Sequence, residues 1–148
     1  VCSSDLNSNG PAVIRPSGHT EWHKYGKLHR EDGPAAITPR GKVEWFYEGE
    51  RHRADGPAIE TPQPSGKANR QWFYKGKRHR LDGPAIESSN GRLDFYMHGR
   101  RHNNNGPAII DKDGNKRWYV NGKECNEVQY KTILYGFHNG VNYRPLVE

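Results

Sequence analysis

Apolar residues recur along this chain at fixed places and are sparse between them. Trp22, Trp45, Trp72, Phe95 and Trp118 hold one repeating position. Each is followed by a second ring, at His23, Phe46, Phe73, Tyr96 and Tyr119, and preceded nine to thirteen residues earlier by Val13, Ala36, Ile59, Ile86 or Ile109. Polar residues, glycines and prolines fill the intervals. Glycine and proline interrupt too often for helices, and no apolar period of 3.6 residues appears, so the pattern predicts short strands. The tripeptide Gly-Pro-Ala punctuates it, starting at Gly10, Gly33, Gly56, Gly83 and Gly106, at intervals of 23, 23, 27 and 23 residues. A fixed period of this size marks a repeat architecture.

Within each unit a central glycine follows Ser17, Arg40, Ser65, Asn90 or Asp113. Asn-Gly and Asp-Gly are the strongest signals for a two-residue hairpin turn. A two-residue turn in every unit pairs Trp22 with Val13, Trp45 with Ala36, Trp72 with Ile59, Phe95 with Ile86 and Trp118 with Ile109. The longer third unit places two of its four extra residues on each side of Gly66. A hairpin lengthened by two residues per arm does this, because each side chain then stays on its own face. Residues 26–35, and their equivalents, read as a return connection between hairpins. The expected fold is all-β: residues 9–125 as five serial antiparallel hairpins forming an elongated, twisted sheet.

The ends break the period. Asn126 with Gln129 reads as a helix N-cap and its capping-box partner, predicting a short helix over residues 127–135 that Gly136 ends. It is expected to lay Val128, Ile133 and Leu134 on the last strand, as a cap within residues 126–148. Residues 1–6 read as the translation of GTG-TGC-TCT-TCC-GAT-CT, a sequencing-adapter DNA. Residues 1–8 are therefore expected to be non-native or truncated, in a reading frame assembled from an environmental sample.

Composition changes this picture little. The chain has 148 residues, 32% hydrophobic, with a mean hydropathy of −1.11. A uniform chain of that kind fails to bury a core, but stacked hairpins need only a thin apolar stripe. No run of 18 apolar residues predicts a membrane span. Cys2 and Cys125 form neither a disulfide framework nor a zinc pattern, which fits a reducing, cytoplasmic compartment. The net charge of +6 favours an acidic partner.

Several rows invite a chemical reading. His29, His52, His79 and His102 share one position, where the last unit has Cys125. Neighbours in that row stand two strand spacings apart, about 9.6 Å, too far to share a metal. Each imidazole is therefore expected to make a local hydrogen bond or to pack under the connection. Asp32, Asp55 and Asp82 are replaced by Asn9 and Asn105 elsewhere, so an Asx-turn is expected and acid–base work is not. The Trp22, Trp45, Trp72, Phe95 and Trp118 row is assigned to the core. Phe46, Phe73, Tyr96 and Tyr119 lie on the other face. If that face is uncovered they form a binding stripe; if covered, a second packed layer. Arg30, Arg53, Arg80 and Arg101, with Arg51 and Arg78 nearby, form basic rows that make a weak signal for nucleic acid or anionic headgroups. No phosphate-binding loop, metalloprotease motif or nucleophile elbow is present, and nothing calls for a cofactor.

The stretch Trp45-Phe46-Tyr47-Glu48-Gly49-Glu50-Arg51-His52-Arg53-Ala54-Asp55-Gly56 resembles the MORN repeat, and the resemblance runs from Asn9 to about Cys125. The unit departs from the standard pattern at Arg53 and Pro57, where glycine and a non-proline residue are usual. Its variant form is similar to repeat proteins of bacteria, phages and large DNA viruses, including the YwqK-like antitoxin group. The resemblance implies a non-enzymatic scaffold for protein–protein interaction, antitoxin-like or a phage accessory protein, in the cytoplasm of a bacterium or virus-infected host. The alternative is a binder of nucleic acid or membrane headgroups through a basic, aromatic sheet face.

Overall fold

The computed structural model describes residues 13–136. The readings of residues 1–8, of the Asn9-Gly10 turn and of the tail after Gly136 lie outside them. The described chain is mostly β. One eleven-stranded antiparallel sheet runs in chain order through Val13–Ile14, Thr20–Glu21, Ala36–Ile37, Val43–Glu44, Ile59–Thr61, Asn69–Gln71, Ile86–Glu87, Leu93–Asp94, Ile109–Ile110, Lys116–Val120 and Lys123–Cys125. Ten strand spacings make it about 48 Å across.

The sheet's register differs by one residue from the expected pairing. Val13 faces Glu21, Ala36 faces Glu44, Ile59 faces Gln71, Ile86 faces Asp94 and Ile109 faces Arg117; none faces the aromatic residue. The cause is the turn. Three residues, not two, close each loop: Gly41 N–H donates to the Thr38 carbonyl at 2.9 Å, and Thr38 N–H to the Lys42 carbonyl at 2.9 Å. Gly41 takes a left-handed φ of 80°. This is a type I turn closed by a glycine bulge, and Pro39 sits where such turns favour proline. The two-plus-two reading of the long unit holds. It keeps the same turn, with Gly66 N–H donating to the Gln63 carbonyl, and adds the pair Thr61–Asn69. Its extension also reaches the next unit, where Asn69 Oδ1 accepts the Ser89 amide at 2.7 Å.

The expected return connection hides a second hairpin. His23–Lys24 pairs with Lys27–Leu28, Phe46–Tyr47 with Glu50–Arg51, Phe73–Tyr74 with Lys77–Arg78, and Tyr96–Met97 with Arg100–Arg101. In these four units the Trp22-type residue is the hinge between the two hairpins. Trp45 donates its N–H to Ala58 in the long sheet and accepts the His52 N–H on its carbonyl. The small hairpins close through two-residue turns with both φ positive, such as Glu48 at 50° and Gly49 at 87°. These are the type I′ turns, and they occur where the chain has Tyr25, Glu48, Lys75 and His98 rather than Asn or Asp. Successive small hairpins are tied together: the turn glycines Gly49, Gly76, Gly99 and Gly122 donate to Leu28, Arg51, Arg78 and Arg101 of the preceding unit.

The core is a thin stripe. Ala35, Ala58, Ala85 and Ala108, the last residue of each tripeptide, are completely buried. Ala58, Ile59 and Phe73 pack together against Trp45, and Ala108, Ile109 and Tyr119 against Phe95. The helix spans Glu127–Tyr135 with both arms of the Asn126–Gln129 capping box formed and Gly136 as its left-handed cap. Its buried face is Tyr130 and Leu134, one turn apart. Val128 and Ile133, expected on the last strand, remain exposed at 74% and 48%. Val128 lies about 200° around the helix from Tyr130, so both cannot face the sheet.

Candidate binding surface

The arginines singled out from sequence are bound into the scaffold. Arg30, Arg53 and Arg80 each donate Nε to the carboxylate two residues on, Asp32, Asp55 or Asp82, at 2.9 Å. Each also donates Nη1 to the proline carbonyl four residues on, at 3.2–3.4 Å. The guanidinium carbons lie 4.0–4.1 Å from the ring centres of Trp22, Trp45 and Trp72. A cation held over a tryptophan face is stabilised by about 0.5–2 kcal/mol. The glycine of each tripeptide makes room for it: a Cβ on Gly33, Gly56 or Gly83 would meet the guanidinium carbon at 2.7–3.0 Å.

Asp32, Asp55 and Asp82 therefore serve as arginine partners. The expected Asx-turn has no donor, because the residue two positions on is Pro34, Pro57 or Pro84, which lacks an N–H. The hydrogen bond from arginine, then its charge, holds each of these exposed carboxyls below the usual range.

The second aromatic row is covered rather than open. Arg51 lies 5.4 Å from Phe46 and 5.9 Å from Phe73; Arg78 bridges Phe73 and Tyr96, and Arg101 bridges Tyr96 and Tyr119. Arginine and ring alternate from unit to unit, leaving Phe73 and Tyr119 buried and Phe46 and Tyr96 half-buried. Acidic or amide partners seven residues away hold the guanidiniums: Arg51 donates to Glu44 at 2.9 Å and Arg78 to Gln71 at 3.4 Å. Arg101 stands 3.8 Å from Asp94, and its Nε is buried with no hydrogen-bond partner. The last unit reverses the polarity, with Arg117 donating twice to Glu124 at 2.8 Å. Burial works against ionisation of Glu44, yet Lys42 and Arg51 hold its carboxyl below the usual range.

Two histidines make the expected local contact, His29 Nε2 with Glu31 at 3.4 Å and His102 Nε2 with Asn104 Oδ1 at 2.7 Å, and all four also reach forward. Nδ1 of His29, His52, His79 and His102 accepts the backbone N–H of Glu48, Lys75, His98 and Asn121 at 3.0–3.1 Å. Each acceptor holds the left-handed first residue of the next unit's type I′ turn. This hydrogen bond accounts for residues such as glutamate and lysine in a backbone region that favours glycine and asparagine. The donor being a backbone amide, Nδ1 must carry the lone pair.

Beside the histidines runs a ring ladder that the sequence reading did not separate from the rest. Centroids of His29, Tyr47, His52, Tyr74, His79 and His98 follow at 4.6, 6.1, 4.8, 6.1 and 4.4 Å. Tyr47 and Tyr74 are 47% and 44% exposed, so this stripe, and not the Phe46 row, offers aromatic surface. Tyr47, Glu50, His52, Tyr74 and Lys75 line a shallow cavity of about 210 Å³. Burial, then the neighbouring His98, lowers the basicity of His79. Among the described residues, no three His, Cys, Asp or Glu side chains converge as a metal site, and no helix is long and apolar enough to cross a membrane. No family model and no curated protein matches this chain.

Proposed function

We propose that the chain is a non-enzymatic repeat scaffold of the MORN-like, YwqK-antitoxin-like kind, binding a protein partner in the bacterial or infected-host cytoplasm. The observation that carries this reading is the contrast between two sets of side chains. Arg30, Arg53 and Arg80 are neutralised and stacked inside their own units, whereas Tyr47 and Tyr74 are held half-exposed by rigid neighbours. Tyrosine presented on a rigid support gives large contact area at low entropic cost, as protein-binding surfaces require. Lys27, Lys75, Lys77, Arg100 and Lys123 flank the type I′ turns and make no ion pair among the described residues, which suits acidic residues in the partner.

A photo-crosslinking residue in place of Tyr74, used in host extract, tests this. The expected result is one protein captured, competed by the unlabelled chain and retained at raised salt. Binding to single-stranded DNA or anionic vesicles that collapses steeply with salt would replace this reading with the anionic-ligand one.

A further inference from the structure

The stripe beside the histidines has a pitch that discriminates between extended ligands. Tyr47 and Tyr74 hold equivalent positions of adjacent units, with His52 between them at 6.1 and 4.8 Å. Equivalent positions recur every two strand spacings, about 9.6 Å. A polyproline II helix has three residues per turn and about 3.1 Å rise, so one of its edges repeats every ~9.3 Å. An α-helix repeats at about 5.4 Å and one face of a β-strand at about 6.7 Å, and neither matches. The row of rings continues past Tyr74 through His79 and the turn residue His98, 4.4 Å apart, while Met97 takes the position of Tyr47 and Tyr74 in that unit.

The polar groups select the same ligand. The hydroxyls of Tyr47 and Tyr74 have no hydrogen-bond partner among the described residues. With Nδ1 of His52 occupied by the Lys75 amide, a neutral ring carries its proton on Nε2 and presents a donor there. A polyproline II backbone leaves every carbonyl unpaired and its prolines have no N–H, so it requires donors and supplies none. Proline-rich segments dock in aromatic-lined grooves, their preformed helix costing little entropy to hold. The cavity between the two tyrosines, about 210 Å³, holds small ring-sized side chains rather than a folded element. Charge sets what flanks the prolines: Lys75 lies 5.6 Å from the Tyr74 ring without an acidic partner, and Lys27, Lys77 and Arg100, close along the chain to the same row of turns, outnumber Glu48 and the cavity-lining Glu50 there.

We infer that the row from Tyr47 to His98 binds a proline-rich segment in the polyproline II conformation, about two turns long and flanked by acidic residues. This rests on the reading of the chain as a protein-binding scaffold. Tyr47 and Tyr74 form two ridges with His52 between them, His79 and His98 extend the row beyond Tyr74, and the lysines engage the acidic flanks.

The test uses the full chain and a nine-residue oligoproline with a glutamate at each end, followed by NMR titration. Saturable binding is expected, with shifts confined to the Tyr47–His98 row. Tyr74→Ala and Tyr47→Ala should each weaken it roughly tenfold. Circular dichroism checks that both variants fold, and Asp55→Asn, away from the row, should leave binding unchanged. A peptide with the same charges and Gly-Ser in place of proline should bind roughly tenfold more weakly. Equal binding of the two peptides, no binding at all, or a β-1,4-linked glucan hexamer binding in their place would overturn the inference. If the Tyr74 crosslinker captures a protein through a segment without proline, the inference fails while the scaffold reading stands. If it captures none, the scaffold reading fails as well.

Discussion

The first three units and the fourth close the same connection in two different ways. In the first three, an arginine stacks on tryptophan, bonds to an aspartate and holds a proline carbonyl. In the fourth, Phe95 replaces the tryptophan, Asn103 the arginine and Asn105 the aspartate. Asn103 still donates to the proline carbonyl, Pro107, at 2.9 Å. This unit also carries the helix. The Tyr130 hydroxyl donates to the Asn103 carbonyl at 2.6 Å and accepts the Gly106 N–H at 2.9 Å, and its ring lies 4.7 Å from Trp118. Tyr135 adds a hydrogen bond to the Asn104 carbonyl at 2.7 Å. Ring, cation and anion change together, which shows that they work as one clamp. The array stops where that clamp gives way to a docking site for its own cap.

The largest expected effect separates the capped end from the rest. Tyr130→Ala removes a buried ring and should cost about 3–5 kcal/mol in urea unfolding. Tyr130→Phe leaves the buried Gly106 N–H unpaired and should cost about 1–3 kcal/mol. In both variants amide exchange should quicken at Gly106 and stay unchanged at Gly33 and Gly56; uniform quickening would mean that the cap is not a local device. Burial pushes the Tyr130 hydroxyl well above the usual tyrosine range, so alkaline titration should leave this contact intact.

Glycine substitutions should differ in sign between the two regions. A Cβ at Gly56 meets the Arg53 guanidinium carbon at 2.9 Å, and Gly56→Ala should cost about 1–3 kcal/mol by displacing the stack. At Gly106 the nearest atom is Asn103 Nδ2, at an ordinary 3.6 Å. Gly106→Ala should be neutral or stabilising by about 0.4–1 kcal/mol, through a less flexible unfolded chain. Equal losses at the two sites would break the comparison.

Within a clamp, Arg53→Ala should cost about 1 kcal/mol and change the fluorescence of Trp45, which loses its cation. Asp55→Asn should move the melting temperature least, because that carboxylate is exposed and its ion pair is screened.

The mildest test addresses the junction between the two regions, where His79 of the third unit holds the His98 amide of the fourth. Burial and His98 depress the folded-state pKa of His79 below its ordinary value of 6.5. The unfolded chain therefore takes up the proton first. The contribution is complete above about pH 6.5 and declines as pH falls from there towards the depressed value. His79→Asn supplies a non-titrating acceptor, and stability measured between pH 7 and 5 should fall less in that variant.

The period, the long hairpin's extension and the capping box were all legible, because each is written in glycine spacing or in a local side-chain pair. The register was not, since Asn90-Gly91 and Asp113-Gly114 serve a glycine-bulge turn as readily as a type I′ turn. The second hairpin escaped because its return strands, such as Glu50–Arg51 and Lys77–Arg78, are polar and exposed on both residues, with no alternation to detect. The arginine row was visible as charge, but its neutralisation depends on Asp55 and Trp45 meeting it in space. The local contacts of His29 and His102 were legible, but the forward reach of the histidines was not, since the partner is a backbone amide of the following unit. Strand alternation alone sets Tyr47 and Tyr74 on the face opposite Phe46 and Phe73, but their exposure beside the histidines emerged only with the hinge at the tryptophan.

The forward reach of the histidines has a consequence for how such a molecule changes length. Each unit supplies an acceptor to its successor and receives one from its predecessor, so every internal junction joins the same two chemical ends. Copying one 23-residue stretch into the array would reproduce those ends at both new seams and demand no compensating substitution. Reach is thus adjustable in whole steps by duplication, while the helix stays docked on the backbone of the unit that lacks the arginine clamp.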